Sequence, residues 1–212
     1  MKRLLLIITA ILTLINVSVI PVSADPNGKM IAEKGNNKGA TACVACHGSQ
    51  GEGNPAAAYP YLAGLPVEYI KHQLKGFRDG TRKNPIMKPI ASSLSDKEID
   101  AVASYFSSLK NPLLARKLTA KTKAEKLGQQ LAEGGKWQKA MPACFQCHGN
   151  NGQGIPPYFP PIHGQSYNYL HKQLQAWQNG SRSNDHLDLM QEVVSKLTPN
   201  EMQAVSQYLS VQ

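Results

Sequence analysis

The sequence predicts an all-α fold made of two tandem domains related by an internal repeat, and three observations carry that expectation. The first is self-similarity. Cys43-Val44-Ala45-Cys46-His47-Gly48 returns roughly 100 residues later as Cys144-Phe145-Gln146-Cys147-His148-Gly149. The second is periodicity: apolar residues recur at helical spacing in corresponding segments of both copies, and no segment gives a strand signal of comparable strength. The third is punctuation, with helix stops and caps at matching places in the two copies. Two copies are too few for a solenoid, so they read as two homologous domains.

The match extends along both copies. Gly51 and Gly53 return as Gly152 and Gly154, and, after one deletion, Pro60 and Gly64 return as Pro160 and Gly164. Tyr69, Gln73, Leu74, Gly80, Arg82 and Asn84 return as Tyr169, Gln173, Leu174, Gly180, Arg182 and Asn184. A three-residue insertion follows, after which Met87, Leu94, Glu98, Val102 and Tyr105 correspond to Met190, Leu197, Glu201, Val205 and Tyr208.

In chain order, residues 1–24 read as an export signal. Lys2 and Arg3 precede an apolar run from Leu4 to Ile20, and Val22-Ser23-Ala24 offers a cut ahead of Asp25. The alternative is a retained anchor, because the run approaches the length of a membrane span. Export places the mature chain in the periplasm. The first domain is then residues 25–112, the second 124–212, and a basic linker, 113–123, joins them. Near the start of each domain comes the helix bearing the cysteines, followed by a loop rich in Gly and Pro. Val67, Ile70, Leu74 and Phe77 mark the next helix, ended by Gly80; Tyr167, Leu170, Leu174 and Trp177 mark its counterpart, ended by Gly180. A methionine-bearing loop follows. The last helix opens on a capping box, Ser95-Asp96-Lys97-Glu98, matched by Thr198-Pro199-Asn200-Glu201. Ile99, Val102, Ala103 and Phe106 form its core face.

Composition is that of an ordinary soluble globular protein, 42% hydrophobic and 17% charged over 212 residues. The formal charge of +9 falls to +7 without Lys2 and Arg3, and +4 of that lies in residues 111–127. Such a patch can steer acidic partners or an anionic membrane surface; a solvated linker explains it as well. Nucleic acid is excluded as a partner, since the chain is exported and its basic residues form no dense stripe.

Cys-x-x-Cys-His is the attachment signature of c-type haem. On a helix, residues i, i+3 and i+4 share one side. Cys43 and Cys46, and likewise Cys144 and Cys147, can bond the vinyl groups of a haem while His47 or His148 reaches the iron from the same side. Two covalently bound haem c groups are therefore expected. Disulfides would leave the paired histidines unexplained. Zinc would need the pairs to converge from closer spacing, and a thioredoxin-like redox pair would need a strand–helix context.

Met87 and Met190 are the candidate sixth ligands, since a thioether opposite histidine suits electron transfer. His186 rivals Met190, because the insertion blurs the alignment there. Met30 precedes the cysteine helix and is poorly placed to compete with Met87, while Met141 and Met202 read as structural. The carbonyls of Pro60 and Pro160 are candidate acceptors for the second ring N–H of the two histidines. Arg82 and Arg182 are candidates to hold haem propionates, with a solvated loop charge as the equal alternative. Trp177 could donate to a propionate or pack in the core. His72, His163 and His171 read as surface residues.

With the two Cys-x-x-Cys-His motifs, the loops Pro60-Tyr61-Leu62-Ala63-Gly64 and Pro160-Pro161-Ile162-His163-Gly164, and the elements Gly80-Thr81-Arg82 and Gly180-Ser181-Arg182, the chain resembles the cytochrome c4 family over its whole mature length. The resemblance implies two cytochrome c folds packed about a pseudo-twofold axis. It implies His47/Met87 and His148/Met190 ligation. It also implies a periplasmic electron carrier, not itself an enzyme, that takes electrons from an upstream reductase or dehydrogenase and serves a terminal oxidase in a respiratory chain, with peripheral membrane association in some members. The chain is similar as well to the dihaem cytochrome subunit of flavocytochrome c sulfide dehydrogenase, which would make its partner a flavoprotein. Direct catalysis at an open haem is a third class.

Overall fold

A computed structural model describes residues 26–111, 113 and 117–210. The export signal and its cut ahead of Asp25 lie outside these residues, as do Pro112 and residues 114–116 of the linker. The first half contains α1 (Pro26–Lys34), α2 (Val44–His47), α3 (Val67–Asp79), α4 (Met87–Ser92) and α5 (Asp96–Ser108). The second repeats the order as α6 (Lys123–Gly134), α7 (Cys144–His148), α8 (Tyr167–Gln178), α9 (Leu189–Ser195) and α10 (Pro199–Leu209). Among the described residues there is no strand, only isolated bridges. The all-α, two-domain expectation holds. Among the described residues no helix is long and apolar enough to cross a membrane.

The anticipated helices form for the anticipated reasons. α3 runs to Asp79 and stops at Gly80, which sits in the left-handed region at φ 88°. Ser95 and Thr198 cap α5 and α10 in complete boxes with Glu98 and Glu201, and Pro199 opens α10. Ile99, Val102, Ala103 and Phe106 are buried, as are Met141 and Met202, which fill the core of the second half.

Two pairs of helices were not anticipated. Each half begins with a helix ahead of its cysteine helix, α1 or α6. These are short and only weakly apolar, so tertiary contact sustains them more than propensity does. α1 crosses α5 at Gly28, where a Cβ would fall 2.1 Å from the Ala101 carbonyl oxygen; α6 crosses α10 at Gly128, 2.2 Å from that of Ala204. The signal for α6 was present in Thr122-Lys123-Ala124-Glu125, a capping box like the other two. Its charged first turn continues the basic stretch before it and hides the periodicity. The methionine loops, too, contain short helices, α4 and α9.

A polar seam joins the halves. Lys83 N–H donates to the Ser181 carbonyl at 2.8 Å, and Ser183 N–H to that of Thr81 at 2.7 Å, so the chain around Arg82 runs antiparallel to the chain around Arg182. On another part of the seam, Tyr61 N–H donates to Gln165 Oε1 and Gln165 Nε2 donates back to the Tyr61 carbonyl, while the Tyr61 hydroxyl donates to the His163 carbonyl.

Gly128→Ala places a methyl group against backbone that cannot swing aside. Overpacking of this kind costs about 1–3 kcal/mol, and urea denaturation is expected to show a lower midpoint. A midpoint equal to wild type would refute the helix contact. The capping box makes a second expectation. The Ser95 backbone N–H, then its hydroxyl, hold the Glu98 carboxyl down at about 2 against an ordinary 4.5. A depressed value stabilises the fold above the ordinary value and loses that contribution as pH falls towards about 2. Glu98→Gln should therefore lower the melting temperature at neutral pH, with the difference from wild type shrinking on acidification.

Candidate functional site

One cavity of about 560 Å³ is lined by both halves. Cys43, Cys46, His47 and Met87 line it from the first half; Cys144, Cys147, His148 and Met190 line it from the second. The structure thus brings together every residue of the two Cys-x-x-Cys-His motifs with its candidate methionine. Its walls are mostly apolar, including Leu65, Ile70, Phe106, Ile162, Leu170 and Leu209. Among the described residues no group of three or more His, Cys, Asp or Glu converges on a metal position, and no two of the four cysteines form a disulfide.

The two histidines are held identically. α2 and α7 each end on the histidine, which is buried. His47 Nδ1 lies 2.9 Å from the Pro60 carbonyl oxygen, and His148 Nδ1 lies 2.8 Å from that of Pro160. A carbonyl can only accept, so Nδ1 carries the proton and Nε2 keeps its lone pair. Burial pulls both imidazoles below their ordinary value; the proline carbonyl opposes this, and Arg82 or Arg182 adds to it. Both rings are therefore neutral, the form in which a histidine binds a metal. The proline-bearing loop is drawn in by backbone bonds from Gly53 N–H to the His47 carbonyl and from Gly154 N–H to that of His148. A Cβ at Gly53 would come within 2.6 Å of Tyr61 N, and one at Gly154 within 2.7 Å of Pro161 N. These glycines recur because no side chain fits there.

Met87 and Met190 occupy equivalent places at the start of α4 and α9, and in each a side-chain oxygen accepts the methionine N–H. Asn84 Oδ1 does so for Met87 at 2.9 Å and for Ile86 at 3.0 Å. Asp185 Oδ2 does so for Met190 at 2.7 Å and for Gln191 at 3.1 Å. The insertion, His186-Leu187-Asp188, is a 3-10 turn with Leu187 and Asp188 at positive φ. His186 also lines the cavity, but its ring stacks on His72 at 5.3 Å and meets Tyr158 edge-on at 4.6 Å.

Arg82 and Arg182 are not solvated loop charges. They are 7% and 4% exposed, each above an aromatic ring, Phe77 or Trp177. Their guanidinium groups cross the seam: Arg82 donates to Gln73, Gln173 and the Tyr169 hydroxyl, and Arg182 to Gln173, Gln73 and Asn184. The loop position in the sequence hid this, because burial comes from the other half. Burial, then the like charge of Arg82, pulls the Arg182 guanidinium below its ordinary value. The same correction applies to His163, which is 1% exposed and not a surface residue; it sits under the Tyr61 hydroxyl. His72 is half-buried at the seam, bonded to the Asn184 carbonyl, and His171 stacks on Tyr167.

The cavity has the chemistry a haem requires. Two buried cations line it with no carboxylate paired to them among the described residues. Trp177 Nε1 is a buried donor with no acceptor there. Carboxylate side arms on an otherwise apolar ring meet those demands. Sequence reasoning missed Gln73, Gln173, Asn184 and Asp185 as working residues. Gln73 and Gln173 stood among the repeated positions, which was their only signal.

Comparison with known proteins agrees. The cytochrome c family model matches residues 32–110 and 126–211. The thiosulfate dehydrogenase electron acceptor of Stutzerimonas stutzeri is 43% identical over 182 residues, 86% of this chain and 84% of that one. The crystal structure of reduced cytochrome c4 from Pseudomonas stutzeri superposes with a TM-score of 0.75 at 33% identity, over 88% of this chain and 97% of that one. The thiosulfate dehydrogenase of Marichromatium purpuratum superposes with a TM-score of 0.79 at 37% identity over 87% of this chain; the chain spans only 39% of that protein. The chain belongs to the cytochrome c family. It carries two haem c groups and is an electron-transfer protein.

Gln73 Oε1 accepts from Arg82, Arg182 and Asn184 at 2.8 to 3.0 Å. Gln73→Ala strips an acceptor from three buried donors, and each donor left unsatisfied costs about 1–3 kcal/mol. Calorimetry of the holo-protein should show a lower melting temperature. An unchanged one would mean that the seam does not depend on this network.

Proposed function

We propose that this two-domain member of the cytochrome c family is an exported carrier that takes electrons from a thiosulfate-oxidising dehydrogenase and passes them towards a terminal oxidase. In this reading Cys43 and Cys46 would hold one haem, and His47 and Met87 would bind its iron. Cys144 and Cys147 would hold the other, with His148 and Met190 binding its iron. The observation that carries the reading is the duplicated imidazole geometry: in each half a proline carbonyl fixes the proton on Nδ1 and leaves Nε2 to bind iron, with a methionine lining the same cavity. When bound, the haem supplies a one-electron Fe(II)/Fe(III) couple.

The chain's own residues do the rest. Apolar walls exclude water, and Arg82, Arg182 and Trp177 would supply donors to the carboxylate arms of the haems. With a histidine and a methionine both bound, the iron would have no position for a substrate, which favours electron passage over catalysis. Met190 is preferred to His186 because it matches Met87 in position and in its capped N–H, and because the His186 ring is engaged by His72 and Tyr158. The dehydrogenase donor is favoured by the relative named for that role at 43% identity.

Three measurements test this. Cys144→Ser with Cys147→Ser should halve the covalently bound haem per chain; an unchanged haem content would refute the attachment. Spectra of the oxidised protein should show methionine-to-iron charge-transfer absorption from both haems, diminished in Met190→Ala and retained in His186→Ala; the reverse pattern would make His186 the ligand. The oxidised protein mixed with a thiosulfate dehydrogenase and thiosulfate should become reduced within the enzyme's turnover. If it stays oxidised, the donor assignment fails.

A further inference from the structure

The two methionine segments differ in the group that accepts the methionine N–H. In the first half the acceptor for the Met87 N–H is the amide of Asn84, a neutral group. In the second half the inserted turn moves this duty from the equivalent Asn184 to its neighbour Asp185. Asn184 is thereby released to the seam, where it accepts from Arg182 Nε and donates to Gln73. A carboxylate replaces an amide at the same place relative to the methionine N–H.

The surroundings of that carboxylate make its charge effective. Oδ2 accepts the Met190 and Gln191 N–H groups. Oδ1 is buried and meets no hydrogen-bond donor among the described residues. None of the ion pairs among those residues includes Asp185. Asp185 also lines the cavity that His148 and Met190 line. A carboxylate with a buried oxygen and no ion-pair partner among the described residues is less screened than a solvated one and acts on its neighbours. Oxidised haem iron carries one more positive charge than reduced iron, so a fixed anion beside it favours the oxidised state.

We propose that Asp185 sets the potential of the C-terminal haem: its carboxylate lowers that reduction potential below the value a neutral amide would allow, as Asn84 does for the N-terminal haem. The inference rests on the reading that each haem sits between its histidine and methionine. Its consequence is that two duplicated centres are made unequal, so that electron exchange between them has a bias built into the methionine segments.

Spectroelectrochemical titration of the full-length holo-protein tests it, with wild type, Asp185→Asn and Asn84→Asp. Both substitutions keep an oxygen for the methionine N–H and exchange a charged carboxylate for a neutral amide or the reverse. Asp185→Asn should raise one of the two potentials by an amount equal to about a tenfold change in how an electron partitions between the haems, about 59 mV for a one-electron couple. Asn84→Asp should lower the other potential. No shift in Asp185→Asn, a fall, or an equal movement of both haems would overturn the proposal. Loss of a methionine charge-transfer band in Asp185→Asn would also overturn it, because the residue would then act by holding Met190 and not by its charge. Absence of methionine bands from wild type would instead refute the ligation reading, and the potential shift would still decide the effect of the charge.

Discussion

The bond from each histidine Nδ1–H to a proline carbonyl is the contact on which the rest of the site depends. It settles the tautomer, holds the ring, and ties the cysteine helix to the loop that follows it. That loop can approach only because Gly53 and Gly154 carry no side chain, and it is drawn in by their own N–H groups. The glycines, the proline and the histidine thus form one unit, and the chain contains it twice. Around it, the crossings of α1 with α5 and of α6 with α10, each closed at a glycine, supply the frame.

Duplication makes the two centres alike, and the seam makes them one structure. Each guanidinium reaches a glutamine of its own half and a glutamine of the other, so neither half completes its polar network alone. Bringing two buried cations together is costly unless they are well hydrogen-bonded and opposed by negative charge. Gln73, Gln173 and Tyr169 meet the first condition. No carboxylate among the described residues meets the second, and the carboxylate arms of haems held as proposed would do so. The symmetry breaks at the inserted turn, where an aspartate takes over the duty of an asparagine and where His186 is drawn onto His72.

Much of this was legible in the residues themselves. Haem attachment follows from spacing, because i, i+3 and i+4 share a helix face whatever surrounds them. The helices with strong local signals, α3, α5, α8 and α10, were legible for the same reason: their stops and caps are made by residues adjacent in sequence. α6 was overlooked although its box, Thr122 to Glu125, was present, and α1 had no comparable signal and depends on its crossing with α5.

Sequence by itself determined the number of haems, the duplication and the all-α class, since each is encoded in local spacing and repeat. Only the tertiary structure decided that Arg82, Arg182 and His163 are buried, that Gln73 and Gln173 bind across the halves, and that Asp185 and not Asn184 supports Met190. These facts depend on groups brought together from positions about 100 residues apart, or on where a three-residue insertion puts its turn. No local pattern carries that information, because the burial and the hydrogen-bond partners exist only once the two halves have met.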